Sequence, residues 1–254
     1  MPSHGPRTRR VRTQAAGEEW AAPLTLERIQ RHKHGVLLLA LLAVFLVESF
    51  PHRLLLGPVA SDVLITAVLF LVFLVVFERR RNRLIALVAI ITALGVDWAR
   101  HVASLSTYET ALALVYHAAL LLMSGFATFV ILRNIFQQRV VAADDVLGAA
   151  CGYLLAAGAW SNLYSFTEIL NPGSFSMGGL LDGQYSAWHW RLAVFNYVSL
   201  GTLTSVGSGV VSPVLPPATA FVPLESLFGQ FYIAVVVAQL VGPHLRRSES
   251  AEDR

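Results

Sequence analysis

The sequence predicts an all-α membrane protein of six transmembrane helices, with a re-entrant segment between the fifth and the sixth. Three observations predict it. Of the 254 residues, 55% are hydrophobic and only 14% charged, which sets the chain apart from an ordinary soluble domain. Apolar runs close to the roughly 20 residues needed to cross a bilayer recur between short charged stretches. Of the 19 Lys and Arg residues, 16 fall on one side of the membrane and 3 on the other when both termini are placed in the cytoplasm.

The N-terminal 1–33 segment is polar and Arg-rich. It lacks an apolar stretch ending in a small-residue cleavage site, so it reads as a disordered cytoplasmic tail and not as a cleaved signal peptide. Four spans follow within 34–139, at 35–56, 60–77, 84–102 and 109–132. A helical bundle is the form the bilayer permits here, because an open sheet edge would leave backbone groups unpaired in hydrocarbon. The third span carries Asp97 and Arg100 near its end, three residues apart and able to pair; both read as interface anchors. The fourth has no Lys or Arg, with Arg133 and Arg139 at or beyond its end, so it cannot act as an arginine-ladder voltage sensor. Its His117 reads as a hydrogen-bonded packing residue, with proton sensing the lesser alternative. A charged linker over 133–145 marks the boundary to a second unit, 140–243, with spans at 146–168 and 219–241, before a cytoplasmic tail over 244–254. Cys151, the single cysteine, lies in the fifth span, so no intrachain disulfide can form. The basic clusters flank spans, which makes the pI of about 9.3 a signal of topology and not of nucleic-acid binding.

The connection over 169–218 differs from the others. It opens with the turn signal Asn171-Pro172-Gly173, passes Gly178-Gly179 and becomes aromatic at Trp188-His189-Trp190. The stretch 187–204 has the apolar content of a half-length helix re-entering the membrane. Irregular backbone at that depth is tolerated where protein encloses it or where it lines a water-filled path. Immediately afterwards comes Thr202-Leu203-Thr204-Ser205-Val206-Gly207-Ser208-Gly209. Two glycines separated by one residue let the backbone alternate in hand, so that successive carbonyls point the same way. Such a line of carbonyls replaces the hydration shell of a cation. One chain supplies a single strand of ligands, so a closed cage needs several copies around an axis.

These residues resemble the pore helix and selectivity filter of tetrameric potassium channels, whose pattern reads Thr-Leu-Thr-Thr-Val-Gly-Tyr-Gly-Asp with a proline soon after. The 224–232 run, with Gly152-Tyr153-Leu154-Leu155 and Asn171-Pro172-Gly173-Ser174-Phe175 upstream, is similar to a bacterial branch of that superfamily with four additional N-terminal helices. The resemblance covers 140–242 by residues and the first four helices by layout. It implies a homotetramer in the cell (inner) membrane, multi-pass, with ion-binding residues Thr204, Ser205, Val206, Gly207, Ser208 and Gly209. The only ligand implied is a permeant potassium or other monovalent cation, with no cofactor and no fixed metal. Three departures bear on selectivity: Ser205 stands where Thr is usual, Ser208 where Tyr is usual, and Val210 where Asp is usual. They remove an aromatic strut and an outer carboxylate while leaving the backbone ligands in place.

Glu225 lies in the outer half of the sixth span, where an unpaired carboxylate is expensive. It reads as a structural brace beside the filter, with Trp188, Trp190 and Arg191 as candidate donors and the filter-supporting backbone as another; a cation-attracting or proton-titrating role is the alternative. Gly229 is a candidate gating hinge or a close-packing residue. Phe221, Glu225, Gly229, Tyr232, Val236 and Gln239 share one helical face, whose inner part is the candidate cavity wall. The leading functional expectation is a cation channel carrying out passive ion transport, with relaxed selectivity and gating by an unidentified partner if by a ligand. The alternative is a non-conducting scaffold or accessory subunit with a decayed filter. An enzyme or secondary transporter ranks lower, since no catalytic constellation or inverted repeat is visible.

Overall fold

The computed structural model describes residues 33–49, 58–77, 79–99, 108–137, 143–178 and 188–252. Within them lie seven α-helices: α1 (Lys33–Ser49), α2 (Pro58–Val76), α3 (Arg80–Ala99), α4 (Glu109–Gln137), α5 (Ala143–Leu170), α6 (Trp188–Leu203) and α7 (Ala218–Glu252). Two short strands, β1 (Phe175–Ser176) and β2 (Ser212–Pro213), pair antiparallel with Phe175 opposite Pro213 and Ser176 opposite Ser212.

Four helical stretches are long and apolar enough to cross a membrane: Arg80–Ala99, Glu109–Gln137, Ala143–Leu170 and Ala218–Gln239. The apolar stretches Lys33–Val47 and Val63–Val76 coincide with the first two expected spans but are shorter. Large apolar side chains face outward on these helices, among them Leu39, Phe70, Leu84, Leu122 and Phe129. A water-soluble bundle would bury such residues, whereas lipid solvates them.

Local chemistry explains where the helices begin and end. Proline at the start of α2 has no N–H to leave unpaired. Arg83 donates from Nε to the Phe77 carbonyl at 2.6 Å and so closes the turn from α2 into α3. Asp144 and Asp145 sit in the first turn of α5, where negative charge complements the helix dipole. The charged linker expected over 133–145 is shorter in the structure. Helix α4 runs on to Gln137, which places Arg133 inside it, and α5 starts at Ala143. Likewise α7 continues to Glu252, through most of the stretch expected as a tail. The expected N-terminal tail up to residue 32 and Arg100 lie outside the described residues.

Helices α4 and α5 form the most extensive helix pair and run antiparallel. His117 meets Asn162 and, farther along, Thr128 donates to the Gly152 carbonyl at 3.3 Å. Buried Gly148, Ala149, Cys151, Gly152, Ala156 and Ala157 keep the α5 surface low, so neighbouring helices approach closely. At one end, the ring of His34 on α1 lies 3.4 Å from where a Cβ on Gly148 would sit, and its Nδ1 is 2.6 Å from Asp144. The Cys151 thiol donates to the His34 carbonyl at 3.3 Å, so the cysteine is a buried packing residue as expected. One apolar core joins Leu37, Val72, Phe77, Ile90, Met123, Ile131 and Leu155 to Tyr232 and Val236 of α7. A second core, built on Tyr164, Phe175, Phe195, Val198 and Val211, lies behind the loop that follows α6.

Candidate functional site

The segment 204–211 leaves the C-terminus of α6 and runs back along it before reaching β2. The N–H groups of Val206 and Gly207 both donate to the Gly201 carbonyl at 2.9 Å, hooking the segment onto the last turn of α6. The backbone has positive φ at Ser205 (59°), Gly207 (80°) and Gly209 (65°), alternating with the residues between. This is the change of hand at every second residue that the two glycines permit, extended by one residue to Ser205. A side chain is disfavoured in that region. Ser205 is held there in part by Gln230 of α7, whose Nε2 donates to its Oγ at 2.8 Å.

Two missing side chains let the surrounding helices press on this segment. A Cβ on Gly229 would lie 2.4 Å from the carbonyl oxygen of Leu203, and one on Gly201 would lie 2.8 Å from that of Gly207. Gly229 is therefore a point where α7 touches the α6 backbone directly, which favours the packing role over the hinge. On the far side, Gly178 (φ 53°) sits against Val210, at 2.8 Å from its Cγ1 and its carbonyl oxygen for an added Cβ.

Glu225 is fully buried and accepts hydrogen bonds from the Tyr164 hydroxyl of α5 and the Ser199 hydroxyl of α6. One carboxylate thus ties α5, α6 and α7 together behind the segment, and Ser199 also reaches the Ala157 carbonyl at 2.8 Å. A brace was expected, and among the described residues its hydrogen-bond donors are Tyr164 and Ser199. The side chains of Trp188, Trp190 and Arg191, the expected donors, lie outside the described residues, although their backbone forms the first turn of α6. Rings of Tyr164, Phe175 and Phe195 pack edge-on and tilted around the brace, with centroids 4.9–6.1 Å apart.

A second carboxylate escaped the sequence reading altogether. Glu168, near the end of α5, accepts from the N–H of Gly173 at 2.8 Å and of Phe175 at 3.1 Å, ordering the Asn171-Pro172-Gly173 turn. The turn then presents the Ser174 carbonyl to the N–H of Val214 at 2.8 Å and so anchors the chain beyond the 204–211 segment. An acid a few residues before a Pro-Gly turn was the available signal.

Two expectations are corrected. The inner part of the α7 face, offered as a cavity wall, packs inward instead: Gly229, Tyr232 and Val236 are buried within the chain and Gln239 is half-buried. The Tyr232 hydroxyl donates to the Ala149 carbonyl at 2.7 Å, a bond available only on the side facing α5. Leu227, Gln230, Phe231 and Ala234 point outward instead. Nor do all the carbonyls of the segment point the same way. The Gly207 oxygen faces Gly201 of α6, and the Ser208 oxygen accepts from the Tyr197 hydroxyl at 2.8 Å and the Val210 N–H at 2.7 Å. Ser208 in turn donates its own hydroxyl to the Val211 carbonyl.

Thr204, Ser205, Val206 and Gly207 are exposed along one edge of the chain, and the outward face of α7 beside them is apolar apart from Gln230. Away from this site, His117 is buried and its Nδ1 lies 2.9 Å from Asn162 Oδ1, the packing arrangement expected of it. Asp97 is also buried. Comparison with protein-family models, with curated proteins and with solved structures finds no match for this chain.

Proposed function

We propose that the chain is one subunit of a homotetrameric, potassium-channel-like cation channel that lets ions pass passively across the membrane. In this reading α1 to α5 and α7 are the six transmembrane helices, α6 is the re-entrant pore helix, and 204–209 is the selectivity filter. The observation that carries it is the backbone of 204–209, alternating in hand at Ser205, Gly207 and Gly209, hung between a half-length helix and a final long one. A backbone of alternating hand serves to aim carbonyls, and carbonyls are ligands for a desolvated cation.

The apolar outward face of α7 and the exposed edge of 204–207 add support, since both would be covered by further copies around an axis. Native mass spectrometry in mild detergent, followed by potassium flux from liposomes, tests the proposal. A tetramer with a cation leak selective against anions is the expected result, and a dominant monomer or dimer refutes the pore.

One observation favours the second reading, a channel-like assembly that does not conduct. The Ser208 carbonyl already holds two hydrogen bonds and the Gly207 carbonyl faces α6, which leaves fewer ligands for an ion than an open filter presents. Tetramers without flux would establish this reading. Replacing Ser208→Tyr together with Val210→Asp should then rescue conduction, or sharpen potassium selectivity where the parent protein already leaks.

A further inference from the structure

We propose that Tyr197 is the residue that sets the state of the filter, by holding the outer carbonyl of Ser208 away from the ion path. The inference rests on the channel reading above and names the side chain that decides between its conducting and non-conducting forms.

A carbonyl oxygen has two lone pairs. Both are occupied at Ser208, one by the Tyr197 hydroxyl at 2.8 Å and the other by the Val210 N–H at 2.7 Å. A cation entering the segment would find no lone pair on that oxygen until one of the two bonds broke. The Val210 bond is local, spanning two residues, and travels with the segment. The Tyr197 bond is the one that ties the carbonyl to a different element, since Tyr197 lies on α6, two turns or so before the segment begins.

The neighbouring geometry points the same way. Gly207, immediately before Ser208, turns its own oxygen toward Gly201 on α6, so two successive carbonyls face the helix on which Tyr197 sits. The Ser208 side chain offers no competing tie to that helix, because its hydroxyl is spent on the Val211 carbonyl three residues ahead. Within its own chain Tyr197 is about half exposed, so its ring is not locked in that chain's core and the hydroxyl can leave without unpacking it.

Tyr197→Phe removes the hydroxyl and keeps the ring, so the bond is deleted with little change in packing. Losing one such hydrogen bond shifts a two-state equilibrium by about five- to tenfold. The experiment compares the wild type, Tyr197→Phe, Tyr197→Leu and Ser208→Tyr/Val210→Asp, each as the full chain in liposomes of the same composition after native mass spectrometry of its oligomer. Two quantities are read: thallium or potassium flux, and the potassium concentration that half-maximally raises the melting temperature in a background of N-methylglucamine. The second does not depend on conduction and would not move if Tyr197 merely supported the fold.

A five- to tenfold rise in flux, with half-stabilisation at correspondingly less potassium, is expected for Tyr197→Phe and in the same direction for Tyr197→Leu. Should one variant lose its oligomer, the other carries the comparison. Flux and potassium dependence within twofold of wild type in the assembled variant overturn the role of Tyr197. If Ser208→Tyr/Val210→Asp still conducts in that case, the pore reading stands and only the Tyr197 proposal falls. If all four proteins are tetrameric and none conducts or responds to potassium, the channel reading falls with it.

Discussion

Gly229→Ala adds a single methyl group, and the structure places it against backbone. The new Cβ would lie 2.4 Å from the Leu203 carbonyl oxygen, 2.9 Å from its Cα and 3.0 Å from its carbonyl carbon. Close carbon–oxygen contacts in proteins sit at about 3.3–3.6 Å, so α6 and α7 must separate by about 1 Å for the methyl to fit. A flexible side chain would swing aside, but the last turn of a helix that is itself hooked to 204–207 cannot. Overpacking costs typically about 1–3 kcal/mol, and an obstacle made only of backbone places this case near about 3 kcal/mol. That is roughly a hundredfold in the folded-to-unfolded ratio. Gly125→Ala and Gly158→Ala are the controls: among the described residues nothing lies within 4 Å of an added Cβ at either. Helix propensity there should yield a gain of up to about 1 kcal/mol. Denaturant unfolding in detergent, followed by tryptophan fluorescence, measures all three. If Gly229→Ala proves as stable as wild type, the close approach is not real, and the glycine is better read as a hinge.

Glu225→Ala leaves the buried hydroxyl of Tyr164 without its acceptor and cuts the tie from α7 to Ser199, which keeps the Ala157 carbonyl, so the same assay should show a loss of about 2–4 kcal/mol; a loss below about 1 kcal/mol would mean that the brace is not stabilising. Tyr164→Phe should cost less, about 1–2 kcal/mol, because Ser199 still donates to the carboxylate. Glu168→Ala should speed amide exchange at Gly173, Phe175 and Val214 while leaving α4 protected, and unchanged exchange there would show that the turn holds without the carboxylate. If the protein conducts, its opening should depend only weakly on voltage, because α4 carries no basic residue before Arg133; a steep curve moving several elementary charges would refute that.

Much of the helical layout was legible because it depends on quantities that run along the chain. A helix was expected over 187–204 and one is found at Trp188–Leu203, since an apolar run of that length between Gly-rich and Thr/Ser/Gly-rich stretches has few alternatives. The face that α7 turns inward was not legible. Its membrane-length part is mostly apolar and carries polar residues on opposite sides, Glu225 inward and Gln230 outward, so periodicity selects no face. The packed side is chosen where Tyr232 reaches a carbonyl of α5 and Gly229 admits the backbone of α6.

The partners of the carboxylates divide in the same way. That Glu225 would need donors follows from its place in an apolar helix, but Tyr164 and Ser199 stand 61 and 26 residues away, and nothing in the spacing singles them out from other hydroxyls. By itself the sequence determined the apolar helices, the absence of a basic ladder in the fourth, and the glycine spacing that permits a backbone of alternating hand. Those are properties of residue type and order. Only the tertiary structure decided which helices Glu225 joins, why position 229 has no side chain, and that the Ser208 carbonyl accepts a hydrogen bond from Tyr197. Each of these is set by a distance of a few ångströms between elements remote in sequence, where burial makes every polar group find a partner and close packing leaves few ways to supply one.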